Sequence, residues 1–172
     1  GSFTAPQGDV MVAWVHGDEV AHSWFTSVLH TILGSTRPGP YCAMRYGTEG
    51  LVGARNKVAE QFLASPAQWL FWVDTDMGFV PDTLDRLLAV ADPVTAPAVG
   101  ALCFANRETH TDGYGGYRCS ATPTLYTWGE SDDGKSGFVP MWDYPRDQVV
   151  EVAATGSACI VIHRSIMEAV RD

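Results

Sequence analysis

The chain has 172 residues, of which 46% are hydrophobic and 18% are charged, as is typical of a single globular domain and not of a disordered chain. Its formal net charge at pH 7 is −9, and it has 11 Lys and Arg residues. Tight non-specific DNA binding neutralises many phosphates with such residues. The charge therefore disfavours duplex DNA as a partner, although a local basic groove is not excluded.

No apolar run approaches the ~20 residues of a transmembrane helix, and the N-terminal segment lacks the basic and apolar regions of a signal peptide. We therefore expect a cytoplasmic protein with no membrane span. The cysteines are widely spaced and form no CxxC pair, which predicts reduced, mostly buried thiols at Cys42, Cys103, Cys119 and Cys159.

Apolar runs of strand length alternate with segments of helical spacing over the first hundred residues. The strands are predicted at 10–15, 41–46, 68–73 and 99–104. The helices between them are predicted at about 24–33, 51–64 and 82–91. This β-α-β order predicts an α/β fold with a mostly parallel central sheet flanked by helices.

The pattern changes after residue 104. Residues 105–122 show no periodicity and are rich in glycine, which predicts a mobile loop over a site. The runs "TLYTW" and "FVPMW" flank a turn-rich segment and predict a β-hairpin, and "VVEVAATG" and "SACIVIH" predict two more strands. We expect one domain over 1–172, made of a half at 1–104 and a half at 105–172 with a small antiparallel addition.

Two aspartates, Asp74 and Asp76, end the apolar run "QWLFWV". A buried carboxylate is costly unless something positive meets it, and a metal ion, a helix N-terminus or water beyond the sheet edge would each do so. In open α/β sheets, ligands bind outside the carboxyl ends of the strands. The loops at 16–19, 74–77, 105–122 and 155–157 are therefore expected to gather at one edge.

The segment "ARNKVAEQFLASPAQWLFWVDTDMGFVPDTLDRLL" (54–88) resembles the GT-A class of nucleotide-sugar glycosyltransferases. It is similar to compact members from bacteria and their phages, in which an "ARN" helix precedes an apolar strand, a DxD and "F-x-P-D-x-L". The segment "ATGSACIVIHRSIMEAV" (154–170) resembles the family's second landmark. The resemblance implies a GT-A-like (Rossmann-like) fold and metal-dependent transfer of a sugar from a nucleotide diphosphate sugar, with a UDP-sugar as the favoured donor. It also implies a location in the host cytoplasm if a phage encodes the protein.

The resemblance also implies roles for individual residues. Asp76 is expected to ligate Mn²⁺ or Mg²⁺, and Asp74 to contact the ribose or a metal-bound water, because a hard cation neutralises the departing diphosphate. Arg55 is expected to contact the base or the diphosphate. The alternatives are a solvated strand end for the aspartates and a surface position for the arginine. The remaining nucleotide-binding residues implied are Val15, His16, Gly17, Asn56 and Thr75.

On the acceptor side, Gly156 and Ser157 either approach the ligand closely or form a tight turn. Tyr114, Tyr117 and Trp142 either stack on a sugar or pack in the hairpin. In related enzymes the catalytic base and a histidine metal ligand follow the last helix predicted here, and this sequence ends at Asp172. The catalytic residues are therefore unassigned, with Asp143, Asp147 and His110 as candidates.

Two other functions compete with the glycosyltransferase. One is a nucleotide-sugar-binding module that has lost its catalytic segment. The other is a phosphohydrolase of the haloacid dehalogenase type, which also has a DxD after an apolar strand. Such motifs continue to threonine or valine, whereas Met77 and Gly78 follow here. The acceptor is open among a protein, a glycan, a lipid-linked sugar and a modified nucleic-acid base.

Overall fold

The structure is a computed structural model that describes residues 8–111, 116–130 and 134–171, without the side chains of 106–119. The described residues form two compact units, one made of the chain up to Ala101 together with the chain from Ser157, and the other of Leu102–Gly156. The elements are, in chain order, β1 (Val10–His16), α1 (His22–Gly34), β2 (Pro38–Arg45), α2 (Gly50–Ala64), β3 (Trp69–Val73), α3 (Thr83–Val90), β4 (Ala98–Gly100), β5 (Phe104–Thr111), β6 (Gly116–Pro123), β7 (Leu125–Glu130), β8 (Ser136–Pro140), β9 (Ala154–Thr155), β10 (Cys159–His163) and α4 (Arg164–Arg171).

The first unit contains a five-stranded sheet in the order β2-β1-β3-β10-β4. Strand β1 is parallel to β2 and β3, whereas β10 is antiparallel to both of its neighbours, β3 and β4. Four strands therefore run in one direction and β10 runs in the other. The prediction of a mixed α/β fold is confirmed, while the GT-A assignment stays a prediction, as does the division into halves at residue 104.

The prediction of a mostly parallel sheet is wrong at the level of strand pairing. Among the described strands, the two pairings of β1 in this sheet are parallel and the other five pairings are antiparallel. A parallel neighbour requires a crossover connection, usually a helix. Strand β10 instead follows β9 after a short turn, and it enters the sheet in the reverse direction.

Strand β3 lies in the middle of this sheet because all five of its side chains, from Trp69 to Val73, are apolar and buried. A strand covered on both faces reads as a continuous apolar run. One face of the sheet packs against α2, whose buried residues Ala54, Val58 and Phe62 recur every four positions and form one helical stripe. This packing fixes the rotation of α2 and therefore the direction in which Arg55 points.

Arg164, the first residue of α4, binds the carboxyl end of α2. Its guanidinium donates hydrogen bonds to the carbonyl oxygens of Phe62, Leu63, Ser65 and Ala67, and it lies 5.0 Å from the centre of the Phe62 ring. The last carbonyl groups of a helix have no partner within it. Arg164 supplies those partners and joins α4 to the end of α2.

The second unit is antiparallel. Strands β7 and β8 form the predicted hairpin, and β9 pairs with the other side of β7. Residues 105–122, predicted as a mobile loop, belong instead mostly to β5 and β6, which pair without a bulge from Phe104 with Pro123 to Thr111 with Gly116. Pairing satisfies the backbone polar groups that face the partner strand, and it needs no apolar alternation. Only Ala154 and Thr155 of "VVEVAATG" form a strand.

Three cysteines, Cys42, Cys103 and Cys159, are buried and in no disulfide, as the sequence predicts. The side chain of Cys119 lies outside the described residues. Burial raises the pKa of the Cys42 thiol above its ordinary value of 9.0, and its Sγ donates a hydrogen bond to Oε1 of Gln61. Among the described residues, no helix is both long enough and apolar enough to cross a membrane.

Candidate functional site

The turn that contains both aspartates begins directly after β3. The backbone N–H of Asp74 donates to the carbonyl oxygen of Ala158 at 2.9 Å, and the N–H of Met77 donates back to the Asp74 carbonyl oxygen at 3.2 Å. The carbonyl oxygen of Thr75 accepts a hydrogen bond from Ala21 at 2.9 Å. The turn is thus fixed to the segment before β10 on one side and to the start of α1 on the other.

The carboxylate of Asp74 is engaged by two donors. Its Oδ1 accepts a hydrogen bond from Nη2 of Arg55 at 2.9 Å and a second from Nε1 of Trp72 at 3.2 Å. The side chains of Arg55 and Asp74 are about one-third exposed, at 33% and 34%. The carboxylate that ends the buried strand therefore meets a positive charge from the protein itself.

Two further contacts hold Arg55 in this position. Its Nη1 donates to Oγ of Ser157 at 3.1 Å, and its guanidinium lies 5.2 Å from the centre of the Trp72 ring, which is a cation–π distance. Its Nε is buried and has no acceptor among the described residues. One donor of the guanidinium is thus unsatisfied while the other two nitrogens are in use.

Asp76 differs from Asp74 in its surroundings. It is exposed, and its carboxylate has no hydrogen bond or ion pair within the described part of the chain. Two carboxylates one residue apart therefore differ in availability, since one is neutralised by Arg55 and the other faces solvent. Asp76 is the carboxylate that an added cation would meet first.

The residues expected at the nucleotide base lie at the end of β1, at the same sheet edge as the end of the parallel strand β3. Val15 is buried in the core, so only its backbone can face a ligand. The Nδ1–H of His16 donates to the carbonyl oxygen of Gly17 at 2.8 Å. His16 also lines an otherwise apolar groove of about 390 Å³ beside α1. A side chain at Gly17 would meet the hydroxyl of Tyr46.

A smaller cavity of about 210 Å³ lies next to Arg55, between α2, α4 and the strands β3 and β10. Arg55, Asn56 and Ser157 are its polar lining residues, and the rest of its lining is apolar. Asn56 is otherwise an exposed residue of α2. The cavity puts the Arg55 side chain within reach of a ligand from outside.

The resemblance implies Mn²⁺ or Mg²⁺ at Asp74 and Asp76. Within the described residues, no group of three or more His, Cys, Asp or Glu side chains comes together to hold a metal ion. Mg²⁺ in enzymes is often held by one or two carboxylates and the phosphates of the substrate. The two aspartates fit a cation of this kind, which a diphosphate helps to bind, and not an ion held by protein ligands alone.

The remaining candidates lie elsewhere. Asp143 and Asp147 are exposed residues of the second unit, and Asp147 has a left-handed φ of 55°. Trp142 is 62% exposed. Tyr114 lies outside the described residues, as do the side chains of His110 and Tyr117. No catalytic base is assigned among them.

Trp72 is a site residue that the sequence reasoning missed. The apolar run predicts only a core side chain of β3 at this position. Side chains two residues apart in a strand point to the same face, so Trp72 and Asp74 share a face of the sheet. The signal is a tryptophan two residues before the first aspartate, because the indole N–H of a buried tryptophan usually has an acceptor.

Comparison with known proteins leaves the chain without a family assignment. No protein-family model matches it, and no curated protein matches it significantly.

Proposed function

We propose that this protein is a metal-dependent glycosyltransferase that binds a nucleotide diphosphate sugar, UDP-sugar first, at Asp74, Asp76 and Arg55. The observation that carries the proposal is the meeting of Arg55, Asp74 and Ser157, which come from a helix, a strand end and a distant turn of the sequence. Each belongs to one of the segments that resemble GT-A enzymes. A solvated strand end would not need an arginine, a tryptophan and a serine at the same point.

Each residue has a distinct task in this proposal. Asp76 holds the cation together with oxygens of the diphosphate, since hard divalent cations prefer carboxylate and phosphate oxygen. When bound, the cation neutralises charge on the departing diphosphate. Arg55 binds phosphate oxygens through the fork of its guanidinium, for which Lys is a poor substitute. In this proposal His16 and Gly17 contact the nucleotide base, and Asn56 and Thr75 line the nucleotide site.

The test is a titration of UDP against the wild type and Asp76→Asn at fixed Mn²⁺. Asparagine keeps the shape of the side chain but offers a neutral oxygen, so we expect affinity for UDP to fall at least about tenfold with no change in melting temperature. Glu60→Gln, an exposed acid on α2, is the matched control. Asp74→Asn is expected to lower both the affinity and the melting temperature, because it removes the negative charge that pairs with Arg55.

Equal affinity for UDP in the wild type and Asp76→Asn would remove the physical basis of the proposal. The binding experiment does not separate an enzyme from a binding module. A panel of UDP-sugars, assayed for release of UDP with candidate acceptors, separates the two. Binding without release on any acceptor would favour the module.

A further inference from the structure

The first aspartate of the pair is already neutralised inside the protein. Oδ1 of Asp74 accepts hydrogen bonds from Arg55 at 2.9 Å and from Trp72 at 3.2 Å. A free cation that approaches Asp74 meets the positive guanidinium as a competitor for the same carboxylate. A free diphosphate that approaches Arg55 meets the negative carboxylate of Asp74. Either ion alone is therefore opposed by a like charge.

The contact with Asp74 does not satisfy all of Arg55. Nη1 and Nη2 have acceptors in Ser157 and Asp74, whereas Nε is buried with no acceptor among the described residues. A buried donor without an acceptor is destabilising. A ligand with several anionic oxygens beside Arg55 can accept from Nε, and this gain favours a shift of the guanidinium from Asp74 to the ligand.

We propose that Arg55 makes the binding of the cation and the diphosphate depend on each other, so that the site selects the cation–diphosphate complex over either ion alone. The inference rests on the ligand class of the proposed function. The diphosphate draws Arg55 away from Asp74, and the released carboxylate then joins Asp76 in holding the cation. The bound cation in turn reduces the repulsion between the two aspartate carboxylates and the diphosphate. The cation must raise the affinity for the diphosphate by the same factor as the diphosphate raises the affinity for the cation, because one coupling free energy describes both effects.

The Trp72 side chain defines how far Arg55 can move. Its indole N–H stays on Asp74 Oδ1 while its ring lies beneath the guanidinium at 5.2 Å. The carboxylate is therefore held in place when Arg55 leaves it. A cation–π contact is less directional than a hydrogen bond, so the guanidinium can shift across the ring without losing it entirely.

The decisive variant is Arg55→Gln, which removes the internal positive charge. Free Mn²⁺ is titrated into the protein without nucleotide and followed by electron paramagnetic resonance. We expect Arg55→Gln to bind Mn²⁺ about three- to tenfold more tightly than the wild type, the range for removing a charged, partly exposed competitor. Calorimetry with UDP and with inorganic diphosphate, each at saturating Mn²⁺, is expected to show weaker binding by a similar factor. Effects of opposite sign from one substitution are the signature of the proposal.

Two further variants serve as controls. Arg37→Gln removes an arginine that pairs with Asp9 at the opposite edge of the sheet, and it should change neither affinity. Arg55→Lys keeps the charge and loses the fork, so we expect Mn²⁺ to bind as weakly as in the wild type and the diphosphate to bind more weakly. If melting temperatures show that Arg55→Gln does not fold, the dependence of Mn²⁺ binding on inorganic diphosphate in the wild type still tests the inference.

The outcomes separate this inference from the proposed function. Unchanged Mn²⁺ affinity in Arg55→Gln, or Mn²⁺ and diphosphate that bind the wild type independently, would overturn the inference and leave the nucleotide-sugar site standing. Coupling between Mn²⁺ and inorganic diphosphate, together with no binding of UDP, would support the inference and overturn the UDP donor.

Discussion

Replacement of Arg164 by methionine is expected to lower the free energy of unfolding by about 3 kcal/mol. The guanidinium serves the carbonyl oxygens of four residues at the end of α2 and the following turn, and the side chain is only 16% exposed. A hydrogen bond from a charged donor contributes about 1.5–3 kcal/mol, but bonds that share one donor group do not add. Two such bonds at the lower end of that range account for the total, since water can reach some of the freed carbonyls.

Urea denaturation followed by tryptophan fluorescence measures this change, with the m-value expected to stay the same. Methionine retains an apolar stem of similar length, which limits the loss of packing. Arg86→Met, at an exposed residue of α3 with no side-chain partner among the described residues, is the matched control and should stay within about 0.5 kcal/mol. Glu168→Gln tests the ion pair at 3.6 Å between Arg164 and the exposed carboxylate of Glu168, and it should also cost no more than about 0.5 kcal/mol. A loss below about 1 kcal/mol in Arg164→Met would show that the carbonyls do not depend on Arg164.

Two other predictions concern stability. Burial raises the pKa of the Cys42 thiol in the folded state. The thiol therefore contributes fully to stability below its ordinary pKa of 9.0, and this contribution is lost as the pH rises through the folded pKa. Urea denaturation should show a lower free energy of unfolding at pH 10 than at pH 7, and the difference should be smaller in Cys42→Ala. Gly50 begins α2 with a φ of 66°, where a side chain is strained but meets no neighbour, so Gly50→Ala should lower the free energy of unfolding by about 1 kcal/mol. Gly34 also has open space but no positive φ, so Gly34→Ala should not lower it. Equal melting temperatures for the two variants would contradict the strain argument.

The local parts of the site could be predicted from the sequence, and the contacts between its parts could not. The apolar run 68–73 and the helical spacing of 51–64 were enough to place Asp74 at a strand end and Arg55 early in a helix. The ion pair between Arg55 and Asp74 joins residues of different elements. It depends on the rotation of α2 about its axis, which the packing of Val58 and Phe62 fixes. No periodicity encodes such a contact.

Two features differ from what the sequence predicts. Asp82 precedes the apolar spacing of α3 and is predicted as its capping side chain; it does stand at the N-cap, but its backbone has φ −89° and ψ 5° and its side chain makes no capping hydrogen bond. A capping side chain usually requires an extended backbone at that residue. Strands β5 and β6 lack the apolar alternation that predicts a strand, because backbone hydrogen bonds between two strands form whatever the side chains are.

The reversed direction of β10 has a consequence for the architecture of the chain. The chain leaves the five-stranded sheet after β4 and re-enters it through β10, the strand next to β4, and the N–H of Ala101 binds the carbonyl oxygen of Cys159 at 2.9 Å. Residues 102–156 are thus an insertion between the two arms of one antiparallel pair. The entropy of closing a loop grows only slowly with its length. The sheet therefore places little restriction on what lies between Ala101 and Ser157, and this is where such a chain can gain, lose or exchange sequence while its strand ends stay in place.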